Sequence, residues 1–174
     1  MYCAIRKRRR VLAVLAAATA VPAASPGLAH ATAGAVYLRT FADKCVGVNV
    51  QSKAEDDRIV QDACTGLFNQ NFTIVQAGYG QVEIRTFANK CLAVKGRSDA
   101  DNAEIVEDEC TGLYHQRLRI ENVGNNLARI LTFADKCFDV KSQSVADDAR
   151  IVQAQCDGLF DQRFAINWQR SAAV

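Results

Sequence analysis

The sequence predicts an all-β, barrel-like domain made from three copies of one unit. Three observations carry this reading. First, Cys45, Cys91 and Cys137 lie 46 residues apart, and Cys64, Cys110 and Cys156 repeat that spacing 19 residues further on. The hexapeptide TFADKC at 40–45 returns as TFANKC at 86–91 and TFADKC at 132–137. Second, Val46, Val48 and Val50 alternate with Cys45, Gly47 and Asn49, and Leu92 with Val94 and Phe138 with Val140 keep the same phase. A period of two is the signature of strands with one buried face. Third, turn-forming residues punctuate each copy at the same places. A unit of this size cannot bury its apolar face alone, so the copies share one core. Twelve short strands spaced by turns then imply a barrel.

The repeats are preceded by a different kind of sequence. Residues 6–10 read RKRRR, Val11 to Ala24 form an apolar run interrupted by Pro22, and Ala29-His30-Ala31 offers small residues around a cleavage point. This is the layout of a secretory signal peptide over residues 1–31. The apolar run is shorter than the roughly 20 residues a spanning helix needs. Without the leader, five of the 21 Lys and Arg are lost, leaving 16 against 19 Asp and Glu and a net charge near −3. Such a chain lacks the concentrated positive surface that nucleic acid demands. Cys3 leaves with the leader, so the expected product, a secreted extracellular protein of residues 32–174, carries six cysteines, an even set that reads as a disulfide framework.

Four strands are expected per unit, at 37–41, 45–50, 58–63 and 70–75 in the first and at the same positions plus 46 and plus 92 in the others. The repeats run over about 37–82, 83–128 and 129–170. Ala-Asp-Lys or Ala-Asn-Lys before each first cysteine, polar runs such as SKAEDD, and Thr-Gly or Asp-Gly after each second cysteine supply the turns. Six cysteines allow 15 pairings. Those that treat the units alike suit a threefold chain, and the simplest joins Cys45 to Cys64, Cys91 to Cys110 and Cys137 to Cys156. No C-x-x-C pair is present and His115 is the one histidine beyond the leader, so no metal and no cofactor are expected.

A triplicated unit of a Cys-x-x-Val strand, an Ile-Val-Gln segment before a second cysteine (Ile-Val-Glu in unit two) and a Gln-x-aromatic close (Gln-x-Leu in unit two) resembles the ricin B-chain lectin family. The close appears as Gln70-Asn71-Phe72, Gln116-Arg117-Leu118 and Gln162-Arg163-Phe164, and the resemblance covers 37–168. It implies a β-trefoil fold and carbohydrate binding. Sugar-binding members of the family use an Asp two residues after the first cysteine, where this chain has Gly47, Ala93 and Asp139. They use a stacking ring just before the second cysteine, where it has Asp62, Asp108 and Ala154, and a polar residue before the closing Gln, where it has Asn69, His115 and Asp161. Phe68, Tyr114 and Phe160 place a ring beside that last position in each unit, either as a substitute platform or as repeated packing. Because Phe138 and Val140 face inward, the alternation directs the Asp139 carboxylate outward.

The ligand site implied by the resemblance is therefore Asp139, Phe160 and Asp161 in the third unit. Acidic turns at Asp56-Asp57, Asp101-Asn102 and Asp147-Asp148 read as solvated, since they lack the ordered ligand ladder of a calcium loop. Nucleophilic catalysis lacks a base, so a non-catalytic protein is expected. The expected function is a secreted, monomeric, lectin-like module for galactose- or xylose-type glycans. The alternative is a protein-binding trefoil such as a protease inhibitor, with a secreted protein as its partner. Neither involves nucleic acid or a membrane.

Overall fold

Strands are the main regular structure of the computed structural model, which describes residues 34–49 and 55–168. The leader at 1–31, residue 50 of the expected second strand and most of the first polar turn lie outside the described residues. The first unit contributes β1 (Val36–Arg39), β2 (Cys45–Val48), β3 (Asp57–Asp62) and β4 (Thr73–Gly78). The second contributes β5 (Gln81–Arg85), β6 (Cys91–Val94), β7 (Ile105–Asp108) and β8 (Arg119–Gly124), and the third β9 (Leu127–Leu131), β10 (Cys137–Val140), β11 (Ala149–Ala154) and β12 (Phe164–Trp168). Among the described residues there is no α-helix, only five single 3₁₀ turns.

Six strands close a barrel. β1 pairs with β12, β4 with β5, β8 with β9 and β9 with β12. The remaining seams are the bridges Val36↔Phe72 and Val82↔Leu118, which are the threefold equivalents of Ala128↔Phe164. The other six strands form the hairpins β2–β3, β6–β7 and β10–β11, which meet in a triangle through β3–β7, β3–β11 and the Glu104↔Val152 bridge. This is a β-trefoil.

The core repeats as the sequence does. Ile59, Ile105 and Ile151 form one threefold set, Leu38, Ile84 and Ile130 another, and Phe72, Leu118 and Phe164 a third, all of them buried. The residues that close each Gln-x-aromatic segment thus serve the shared core. Each disulfide joins cysteines of one unit, Cys45–Cys64, Cys91–Cys110 and Cys137–Cys156, as the 46-residue spacing predicts.

The recurrent TFADKC segment is a strand, a turn and a strand, with the turn closed by Thr40 N to Lys44 O at 2.9 Å and its equivalents at Thr86 and Thr132. Asp43, Asn89 and Asp135 sit at φ 60°, 59° and 56°, a left-handed conformation that Asp and Asn tolerate better than most residues. The turn also reaches the neighbouring unit. Lys44, Lys90 and Lys136 bind Asp147, Glu55 and Asp101, which belong to the acidic turn of the preceding unit. Phe41, Phe87 and Phe133 meet Phe160, Phe68 and Tyr114 edge to face, at centroid distances of 4.7, 4.8 and 4.9 Å. The acidic turns therefore carry inter-unit ion pairs.

Strand boundaries differ from expectation in several places, the first strands starting one or two residues early, at 36, 81 and 127. The fourth strand of each unit begins at 73, 119 or 164 instead of 70, 116 or 162, because Phe68–Gln70, Tyr114–Gln116 and Phe160–Gln162 are 3₁₀ turns. The second strands of units two and three stop at Val94 and Val140, where Lys95–Arg97 and Lys141–Gln143 turn through left-handed residues at 96 and 142.

Candidate functional site

The 3₁₀ turn that ends each unit packs against the second strand of that unit's hairpin. Its glutamine is the anchor. In unit three Gln162 Nε2 donates to Gln155 O at 2.8 Å while its Oε1 accepts from Asp157 N at 3.0 Å. Gln70 and Gln116 make the same bonds, to Ala63 O and from Thr65 N, and to Glu109 O and from Thr111 N. The repeated Gln is thus a brace for the loop after the second cysteine.

Unit three alone adds an acid beneath the brace. Gln162 Nε2 also donates to Asp139 Oδ2 at 3.1 Å. Asp139 does not face open solvent as the alternation directs: it is only 8% exposed, and all four residues of β10 are buried. The outer face of β10 is roofed by the Phe160–Gln162 turn, more than twenty residues later in the chain. Asp161, in that turn, is 4% exposed, and its Oδ1 has no hydrogen-bond partner. Burial pushes the Asp139 carboxyl up to about 6, opposed by the Gln162 hydrogen bond and reinforced by the charges of Asp161 and Asp157. Burial and Asp157 raise Asp161 as well, a hydrogen bond from Gln143 working the other way. The turn therefore gathers two buried carboxylates, of which Asp161 Oδ1 lacks a donor, the condition that an O–H group of a ligand relieves.

Phe160 is 47% exposed and engages Phe41 edge-on. Phe68 and Tyr114 do the same with Phe87 and Phe133, so all three rings pack between units.

The equivalent place in unit one is closed. A Cβ at Gly47 would lie 3.0 Å from Gln70 Cγ and 3.1 Å from Asn69 O, and Asn69 Nδ2 bonds Val48 O at 3.1 Å. In unit two a cavity of about 280 Å³ remains, lined by Lys95, Arg97, Asp56, Asp108 and His115. His115 is 3% exposed, with Nε2 4.0 Å from Asp108 Oδ2 and Nδ1 unpartnered. Burial and Arg97 lower its pKa against the pull of Asp108. Asp108 itself shares a hydrogen bond with Glu55, which raises Asp108 and lowers Glu55. Among the described residues, one grouping of metal-ligand types lies within ligating reach, Glu83 with Cys91 and Cys110, and its sulfurs are spent in a disulfide.

The structure brings Asp139 and Asp161, both named from the sequence, beside Gln162 and Gln143, which sequence reading did not single out, and it places Arg97 in the cavity of unit two. The signal for Gln162 was present, since Gln recurs at 70, 116 and 162.

The model of the ricin-type β-trefoil lectin domain matches residues 34–164. The chain belongs to this family. No curated protein sequence matches this lectin domain. Its fold is shared with the designed threefold-symmetric protein ThreeFoil, at 23% identity and a TM-score of 0.75 over 76% of this chain and 97% of that one. It is shared with the exo-β-1,3-galactanase 1,3Gal43A from Clostridium thermocellum, at 23% identity and 0.76, over 78% of this chain and 30% of the enzyme. The Rhizoctonia solani agglutinin is similar at 14% identity and 0.70, over 78% of this chain and 96% of the agglutinin. The lectin domain thus spans less than a third of the galactanase. No helix among the described residues is long and apolar enough to cross a membrane.

Proposed function

We propose that this lectin domain is an exported, monomeric, non-catalytic carbohydrate-binding protein whose principal site is the third unit. One observation carries the reading: Asp139 and Asp161 are two buried carboxylates gathered at the Phe160–Gln162 turn, and Asp161 Oδ1 has no hydrogen-bond donor. Vicinal hydroxyls of a sugar supply O–H donors for such acceptors, and hydrogen bonds to a charged acceptor are worth about 1.5–3 kcal/mol each. Gln162 holds Asp139 in place, and the exposed part of Phe160 gives the site an apolar flank. The basic cluster and apolar run at the start of the chain, with three disulfides, support export.

Affinity for a single galactose- or xylose-type sugar is expected in the millimolar range, about −4 kcal/mol, because no ring occupies the position before the second cysteine. Calorimetry with such neutral sugars should give one site per chain. Asp139→Ala should abolish that binding and Phe160→Ala should weaken it, whereas binding that survives Asp139→Ala would place the site elsewhere. The half-exposed pairs Leu67-Phe68, Leu113-Tyr114 and Leu159-Phe160 favour the second reading, a protein-binding trefoil such as a protease inhibitor. That reading prevails if no glycan binds and a secreted protease is inhibited.

A further inference from the structure

We infer that the second unit carries a separate subsite for a carboxylate-bearing sugar, a hexuronate, gripped by Arg97 and Lys95 beside the buried His115. The two sites share one frame. The strand Cys91–Val94, the turn Lys95–Arg97 and the turn Tyr114–Gln116 of unit two correspond to Cys137–Val140, Lys141–Gln143 and Phe160–Gln162 of unit three. Even the strained backbone matches, with φ 62° and 56° at Gly96 and Arg97 against 58° and 52° at Ser142 and Gln143. The side chains do not. Where unit three has Asp139, Gln143 and Asp161, unit two has Ala93, Arg97 and His115. Both carboxylates are gone and a guanidinium has been added.

The cations of this pocket are uncommitted. Lys44, Lys90 and Lys136 are bound to acids of the preceding unit, but Lys95 and Arg97 enter no ion pair or side-chain hydrogen bond among the described residues. Both line the cavity of about 280 Å³, close to the roughly 300 Å³ at which small-ligand pockets begin. A second, independent sign is His115, whose buried Nδ1 lacks a partner although buried polar atoms are nearly always satisfied. Two acids complete the lining, Asp56 and Asp108, the latter at the position where a neutral-sugar site would carry its stacking ring. They suit a ligand that is anionic at one end and rich in hydroxyls at the other: Arg97 and Lys95 take the carboxylate, Asp56 and Asp108 accept hydroxyl hydrogens. A bare metal ion would meet two unpaired cations at the same rim.

The inference rests on the glycan-binding reading for its ligand class but on different residues, so the two fail separately. Calorimetry with glucuronate, galacturonate and their methyl esters is run on the parent chain, Arg97→Gln and Asp139→Ala. Arg97→Gln installs the residue that unit three has at this exposed turn, and retained binding of neutral galactosides shows it folded. Free uronate should bind the parent, bind Asp139→Ala equally, and lose about tenfold or more with Arg97→Gln or on esterification, the loss of one charge-assisted contact. The His115 ring resonances should shift with uronate and stay still with galactose. Uronate binding unchanged in Arg97→Gln, esters that bind as well as the acids, an unmoved His115, or no uronate binding by the parent would each overturn the subsite. Loss of neutral-sugar binding by Asp139→Ala tests unit three alone.

Discussion

Asp139 is a residue the fold would be more stable without. Burial pushes its carboxyl up to about 6 in the native state, against about 3.9 in an unfolded chain, so ionisation opposes folding. The raised native value means that its contribution is most favourable below about pH 3.9 and is lost as pH rises through about 6. Asp139→Asn should therefore stabilise the protein by about 1–3 kcal/mol at pH 7, a gain that shrinks to nothing as denaturation is repeated toward pH 4. The same substitution should remove sugar binding, and in the parent chain binding should weaken as pH falls below about 6. A variant that is less stable at pH 7, or binding that is flat between pH 5 and 7, contradicts this account. The position of Asp139 was legible from its spacing after Cys137, but its burial was not. Alternation reports that a strand has two faces; it cannot report that a turn at 160–162 covers the second one.

At the scale of elements, the ring pairs explain why an aromatic recurs at 68, 114 and 160. Each ring is half exposed, so its packing stabilises less than core burial would, and edge-to-face pairing adds about 0.5–1.5 kcal/mol. A double-mutant cycle on Phe41 and Phe160 should return a coupling of about 1 kcal/mol, measured by urea unfolding. Strict additivity would mean the rings merely share a surface. The turn chemistry of TFADKC was readable from Asp43 and its equivalents, and so was a strand on either side. The clamp was not, because the partner of Lys44 is Asp147, 103 residues away. Likewise the fourth strands were predicted too early, since the hydrogen bonds of a buried Gln, not local propensity, set the 3₁₀ turns before them.

For the whole molecule, the triplication made both the architecture and the disulfides legible, since three equal units with one cystine each leave few ways to close. Each cystine closes a loop worth roughly 3 kcal/mol on the chain-entropy model, and together they rival the 5–15 kcal/mol margin of a typical domain. Reduction should lower the melting temperature by well over ten degrees, and peptide mapping without reduction should find three cross-links internal to the repeats. A reduced protein that melts within a few degrees of the oxidised one would show the bridges to be dispensable.

The clamps also have a direction. Unit one hands its acid and its ring to the turn of unit two, unit two to unit three, and unit three, through Asp147 and Phe160, back to unit one. A relay that returns to its start has no first runner. Covalent order along the chain is then incidental to which contacts form, and β1 and β12 already lie side by side, from Val36 opposite Trp168 to Arg39 opposite Ala165. A circular permutant opened at the Tyr79-Gly80 tip between β4 and β5, with a short linker joining β12 to β1, should fold to the same barrel with its cystines and its proposed sugar site unchanged. Heteronuclear NMR spectra that match the parent away from the new ends would show it. For the molecule as built, this makes the three units interchangeable in position and free to differ in chemistry.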